Sequence, residues 1–325
     1  MGTPVSVSDI RDAATRLRGI AVRTPLIESP LLNDRVGGRV FVKAENLQHA
    51  GAFKFRGAYN RLLQFSDAEK KAGVLAYSSG NHAQGIALAA RMLGIKATIV
   101  MPKDAPELKV AGTRGYGADV VFYDRYTENR EDVAARAAGD SGAVLVPPYN
   151  SPYIIAGQGT VGLEIAEDLR ALGLTPDQAL FNCGGGGLTS GALTALKDAF
   201  PDIQGYAVEP EAFDDVKRSL ECGEIQHVDF GSRSICDALL TPSAGELTFE
   251  IMQRLGVKGL TVSDDEARMA VAYAAGTLKQ VGEPGGVVSL AAVLTGKVDV
   301  KDKITVCVIS GGNIDPATLS ECLAH

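Results

Sequence analysis

The chain has 325 residues, enough for about two domains, and its 46% hydrophobic and 22% charged content is ordinary for a globular protein. A net charge of −7 gives no broad attraction for nucleic acid or an anionic membrane, so neither is expected as a partner. No apolar run reaches the ~18–20 residues of a membrane span. The five scattered cysteines and four histidines show neither a disulfide framework nor zinc spacing, so reduced thiols in a cytoplasmic protein are expected.

The N-terminus, Met1 to Ile20, is polar and reads as a helix rather than a signal peptide, with Ser8 as N-cap and Ile10, Ala13, Ala14 and Leu17 on one face. Apolar, β-rich runs predict strands at 39–43, 74–77, 97–101, 143–146, 179–182, 205–208 and 304–309. Helical patterns run from His82 to Gly94, from Ala192 to Phe200, and from Asp264 past Ala275, the last with acidic residues suited to its dipole. Continuously apolar strands alternating with helices predict an α/β fold with buried parallel sheets, whose ligands bind in the loops after the strands' carboxyl ends.

Several of those loops could carry chemistry. Gly184-Gly185-Gly186-Gly187-Leu188 follows a strand and precedes a helix, so its backbone N–H groups can cradle a phosphate. Its spacing fits neither GxGxxG nor GxxxxGK[ST], which disfavours a dinucleotide or nucleoside triphosphate. Ser78-Ser79-Gly80-Asn81-His82 is either a helix cap or one wall of a site. Ser310-Gly311-Gly312-Asn313 is either a glycine turn or a third wall. The acidic run from Glu209 to Asp215, with distant Glu283, is either a solvated surface or a site for a hard divalent cation. Lys54 lies between Phe53 and Phe55, where burial would lower its pKa and make it a nucleophile; otherwise it is a surface charge.

Together Phe53–Ala58, Ser78–Gly85, Ala156–Thr160, Gly184–Leu188 and Ser310–Asn313 resemble the fold-type II pyridoxal-phosphate enzymes, specifically the short serine/threonine dehydratase and serine racemase family. The motifs occur in the family's order over nearly the whole chain. The resemblance implies a tryptophan synthase β-like fold of two domains, each with a mainly parallel sheet flanked by helices. Residues 1–74 and 149–325 would form the large domain, with 75–148 inserted as a small one. Lys54 would form the Schiff base with the cofactor and then act as base, Phe53 would pack against its ring, and Asn81 would bond its phenolic oxygen. Gly184, Gly185, Gly186, Gly187 and Leu188 would hold its phosphate, and Ser310 its pyridine nitrogen. Ser78, Ser79, Asn81 and His82 would bind the substrate carboxylate, and Ser79 occupies the racemases' second acid/base position. Glu209, the carbonyl of Phe213 and Asp215 match a divalent-cation site for Mg²⁺, or Ca²⁺ or Mn²⁺.

The activity so implied is dehydration and deamination of a β-hydroxy amino acid, threonine or serine first and 3-hydroxyaspartate second. A serine racemase and a non-catalytic pyridoxal-phosphate-binding protein are the rivals. Arg130 aligns with an arginine of racemase-like members and would pair with a second substrate carboxylate. Cys236-Asp237-Ala238 and Pro147–Pro152 depart from the family pattern near the expected substrate side chain. A homodimer is implied. With only residues 311–325 after Ser310, feedback control like that of longer threonine dehydratases is not expected.

Overall fold

The computed structural model describes residues 4–78, 80–124, 127–139, 142–229 and 231–324, the side chains of residues 130 and 131 excepted. Its strands are β1 (Leu26–Glu28), β2 (Arg39–Ala44), β3 (Val74–Tyr77), β4 (Ala97–Pro102), β5 (Asp119–Tyr123), β6 (Val144–Leu145), β7 (Gln178–Asn182), β8 (Gln204–Pro210), β9 (Lys258–Val262) and β10 (Ile304–Ile309). The α-helices are α1 (Val7–Leu17), α2 (Pro30–Val36), α3 (Lys54–Leu63), α4 (Asp67–Ala72), α5 (Asn81–Leu93), α6 (Glu107–Gly115), α7 (Arg130–Ala138), α8 (Pro152–Ala171), α9 (Gly187–Ala199), α10 (Asp215–Cys222), α11 (Glu246–Arg254), α12 (Asp264–Tyr273), α13 (Val288–Leu294) and α14 (Pro316–Ala324).

These elements build the expected α/β architecture around two sheets. The larger has the order β1-β2-β10-β7-β8-β9, and the smaller β5-β4-β3-β6. Every pairing is parallel except β1 with β2. The smaller sheet's strands lie between β2 and β7 in the chain, so two crossings join the sheets and leave a cleft between them.

The central strands are apolar throughout because both faces of the large sheet are covered. Successive side chains point to opposite faces. In β10, Cys307 and Ile309 enter one core with Leu180 of β7 and Val42 of β2. Val306 and Val308 enter the other with Phe181 and Phe41. A third core joins α3 and α5 to the small sheet through Phe55, Leu62, Ile86, Ala76 and Ile99. Each such Val, Leu, Ile or Phe contributes roughly 1.5–3 kcal/mol by leaving water.

The structure departs from the sequence expectations in local ways. The N-cap of α1 is Ser6, not Ser8. The Asp9 carboxylate accepts the Ser6 backbone N–H at 2.8 Å, and the Ser6 hydroxyl accepts the Asp9 N–H at 3.3 Å, whereas three residues after Ser8 stands Arg11, which cannot complete such a pair. The helix after the glycine run starts at Gly187 rather than Ala192, because Gly186 makes the turn with φ +89°. The strand expected at 143–146 is paired only at Val144 and Leu145. All five cysteines are free. Among the described residues no helix is long and apolar enough to cross a membrane.

Candidate active site

A cavity opens where four parallel strands end. The segment after β3 supplies Ser78 and Gly80, that after β6 supplies Pro148 and Tyr149, that after β7 supplies the glycine run, and that after β10 supplies Ser310. Helices α3, α5 and α9 begin at its wall with Lys54, Asn81 and Gly187. First-turn amides have no acceptor within their helix, and helix N-termini carry partial positive charge. Three converging N-termini therefore suit an anionic ligand.

Lys54 is held in place from two sides. The Phe53 N–H donates to the Ser310 carbonyl at 3.1 Å, and Ala52 bridges Gly311. One turn into α3, the buried Arg56 guanidinium donates through Nε and Nη2 to Glu45 at 2.8 and 2.7 Å, and through Nη1 to Glu164 at 2.6 Å. The Lys54 amine stands 5.1 Å from the Phe53 ring centre and donates to the Pro148 carbonyl at 2.9 Å. Burial lowers its pKa to about 8, opposed by the charge of Cys183. At neutral pH a usable fraction is thus the neutral amine, the form that attacks carbonyls.

The glycine run is shaped by packing. The Tyr149 ring lies against Gly185, where a Cβ would meet it at 2.3 Å, and its hydroxyl donates to the Ser243 carbonyl at 3.3 Å. Gly186 is left-handed and pressed against Thr248 and Met252. A side chain at either position would collide with these neighbours, so the run is a built cradle lining the cavity.

On the opposite wall, His82 Nε2 lies 3.0 Å from the Val146 carbonyl, so this nitrogen carries the proton. Burial, with the nearby charge of Lys54, lowers the His82 pKa to about 3 against that hydrogen bond. His82 is therefore neutral, and its Nδ1 is buried without a partner. Thr241, which also lines the cavity, has a buried hydroxyl without a partner. Asn81 donates to Glu283 at 2.5 Å and accepts from Asn313 at 2.9 Å. Glu283 in turn accepts from Lys109 of α6 at 2.7 Å, and Lys109 also reaches Asp237 at 2.7 Å. Burial works against the Lys109 charge, but the two carboxylates hold its pKa above the usual ammonium range. This bridge ties the small-sheet side of the cavity to the large-sheet side.

The expected site residues thus gather round one cavity: Phe53, Lys54, Ser78, Asn81, His82, Gly184 to Leu188 and Ser310 all line it. Ser79 and the Arg130 side chain lie outside the described residues. Glu209 and Asp215 are buried beside each other behind the cradle rather than on a solvated surface. Glu209 accepts the Val216 and Lys217 N–H groups at 3.0 and 2.8 Å, while Asp215 Oδ2 has no partner. Burial, aided by the neighbouring Asp215, raises the Glu209 pKa well above the carboxylate range, and burial raises that of Asp215 to about 7. Among the described residues no three His, Cys, Asp or Glu side chains converge as metal ligands. Glu283 does not join this pair, because Asn81 and Lys109 engage its carboxylate. Sequence reasoning did not single out Lys109, Asn182 or Thr241, and it reached Tyr149 only as part of Pro147–Pro152. A buried-strand asparagine at the cradle's edge was the one local signal available, for Asn182.

Comparison with known proteins agrees with this geometry. The family described as pyridoxal-phosphate dependent enzyme matches residues 17–311. An L-threo-3-hydroxyaspartate ammonia-lyase of Pseudomonas sp is 46% identical over 95% of this chain and 96% of its own. A serine racemase of Schizosaccharomyces pombe is 44% identical over 94% of each chain. The crystal structure of a threonine deaminase from T.th. superposes with a TM-score of 0.89 at 43% identity, covering 95% of this chain and 99% of that one. Lysine amine, phosphate cradle and match over nine-tenths of the chain lead to one conclusion: the chain belongs to the pyridoxal-phosphate dependent enzymes, in the fold-type II family of threonine and serine dehydratases and serine racemases.

Proposed function

We propose that this chain is an ammonia-lyase that converts a 3-hydroxy amino acid to a 2-oxo acid and ammonia, with L-threo-3-hydroxyaspartate as substrate and oxaloacetate as product. The observation that carries the lyase reading is the Lys54 amine, unpaired with any carboxylate among the described residues and sharing one cavity with a glycine cradle. Its surroundings fit pyridoxal phosphate: the cradle for the phosphate, Phe53 for the ring, and the Ser310 hydroxyl for the ring nitrogen. When bound, that cofactor supplies a conjugated ring that takes up the electrons of the substrate's Cα–H bond.

The chain's own groups do the rest. The start of α5, with Ser78, Ser79, Asn81 and His82, receives the substrate α-carboxylate. Neutral His82 adds no like charge beside Lys54 and stays neutral through the working pH range. Lys54, neutral once released from the cofactor, takes the Cα proton. The Cα proton and the β-hydroxyl are thus lost together as one water, and the resulting enamine shifts to its imine tautomer, whose hydrolysis takes up one water and frees ammonia.

The choice of hydroxyaspartate over threonine rests on the Pseudomonas relative and on Arg130 as partner for a second carboxylate. L-Threonine is the second reading, favoured by the apolar lining of Tyr149, Ala238, Leu239 and Leu240. Glu209, the Phe213 carbonyl and Asp215 would hold Mg²⁺, a role supported by the unpartnered buried oxygen of Asp215.

The test is a substrate panel: L-threo-3-hydroxyaspartate, L-threonine and L-serine, each with Mg²⁺ or with a chelator. We expect oxaloacetate and ammonia with the highest kcat/KM from hydroxyaspartate. Higher kcat/KM for threonine would establish the second reading. D-serine as the main product from L-serine would favour a racemase, and no product from any substrate would leave a binding protein.

A further inference from the structure

Asn182, the last residue of β7, sits behind Ser310 and is almost wholly buried. Its amide has one allowed sense. Oδ1 accepts the Ser289 backbone N–H at 2.7 Å, which forces Nδ2 toward the opposite side. There the two Nδ2 hydrogens are shared among three acceptors: the Gly286 carbonyl at 2.6 Å, the Val308 carbonyl at 3.0 Å and the Ser310 hydroxyl oxygen at 2.9 Å. The Ser310 oxygen is therefore an acceptor on its protein side. The two carbonyls are also taken by other donors, Gly286 by the Ser310 N–H at 2.9 Å and Val308 by the Ser289 hydroxyl at 2.9 Å. Among the described residues the Ser310 hydroxyl donates to no protein acceptor, and it lines the cavity.

We infer that Asn182 is a positioning residue that turns the Ser310 hydroxyl into an obligatory donor toward the cavity. This rests on the pyridoxal-phosphate reading above. A hydroxyl that accepts an amide proton behind and turns its own proton to the cavity bonds a ring nitrogen as donor, which requires that nitrogen to be unprotonated. A backbone N–H thus sets an asparagine, the asparagine sets a serine, and the serine sets the protonation state of the ring. The consequence is a weaker electron sink, suited to prompt loss of a β-leaving group.

The test reads the ring nitrogen directly. Protein reconstituted with pyridine-¹⁵N-labelled pyridoxal phosphate is compared with Asn182→Leu, Ser310→Ala and the double variant by ¹⁵N NMR between pH 6 and 9. Wild type should show an unprotonated, hydrogen-bonded nitrogen that does not titrate. Asn182→Leu frees the hydroxyl to turn, so its nitrogen should titrate into the protonated form at the acid end and cofactor affinity should fall about tenfold, as for one lost hydrogen bond. In the Ser310→Ala background the same substitution should change the ¹⁵N shift no further, which a merely structural role of Asn182 would not produce. A wild-type nitrogen protonated at pH 7 overturns the proposal even if Asn182→Leu does not fold. An unchanged shift in Asn182→Leu, or an added shift in the double variant, overturns it while the cofactor remains bound. Failure of wild type to take up the cofactor at all would instead overturn the reading on which it rests, and this inference with it.

Discussion

Two lysines stand in opposite states, Lys54 in the cavity wall and Lys109 behind it against Gly80 and Asp237. Lys109 comes from the small-sheet side and is clasped by Asp237 and Glu283, which hold it charged. Lys54 comes from the large-sheet side, donates to the Pro148 carbonyl beside the Phe53 ring, and is brought by burial to about 8. Both are deprived of water, so desolvation alone does not decide their chemistry. The presence or absence of a carboxylate does. Lys109 is a tie between the two sheets, and Lys54 is an amine free to react. The acidic groups repeat the contrast. Glu283 has its cation in Lys109, whereas among the described residues Glu209 and Asp215 share a buried space without a salt-bridge partner, which is why a metal ion is proposed there.

Exchanging the two lysines in turn breaks the comparison most sharply. Lys54→Met should lower kcat by about 10⁴-fold through loss of the base, yet leave the stability of the cofactor-free protein unchanged or raised, since it removes a penalised amine. Urea unfolding beside steady-state assay checks both halves. Lys109→Met should do the reverse to stability. It leaves the buried Glu283 without its cation and facing the part-exposed Asp237, and should cost about 3–5 kcal/mol in the same unfolding experiment. A loss below about 1 kcal/mol, the range of an exposed ion pair, would mean that Lys109 is not a tie.

The acidic pair sharpens the contrast by a smaller amount. Saturating Mg²⁺ should stabilise the protein by about 2.7 kcal/mol at a roughly hundredfold excess over Kd, and Asp215→Asn should abolish that gain. In chelator, Asp215→Asn should be at least as stable as wild type, because it removes a carboxyl whose charged form burial penalises.

The smallest effect is in pH. A lysine whose folded pKa lies below its ordinary 10.5 destabilises the folded form wherever the unfolded chain binds the extra proton. The Lys54 penalty is therefore full below about 8 and disappears as pH rises from about 8 to 10.5, so cofactor-free protein should gain stability across that window. Cofactor capture, which needs the neutral amine, should rise with a midpoint near pH 8, followed by stopped-flow absorbance. A midpoint near 10.5 would place Lys54 in an ordinary environment.

How much of this was legible depended on burial and on distance along the chain. The central strands β2, β3, β4, β7, β8 and β10 were legible because two covered faces demand continuous apolar residues. The unread strands β1, β5 and β9 are edges, part-exposed, and Lys258-Gly259 and Asp119 interrupt their pattern. The cavity's motif residues were legible because each lies in a short run at a strand end. Lys109 with Asp237 and Glu283 was not, because the partners lie 128 and 174 residues away and only the fold brings them together. Asn182 reads as one polar residue in an apolar strand, and its meaning comes from the four groups that fix its amide.

The central claim is that Lys54, and not Lys109 or any other lysine, is the reactive amine. Borohydride reduction of protein incubated with pyridoxal phosphate, followed by peptide mass spectrometry, tests it directly. The account predicts a single phosphopyridoxyl group on Lys54, lost in Lys54→Met. A label on Lys109 or on surface lysines with none on Lys54 would contradict it.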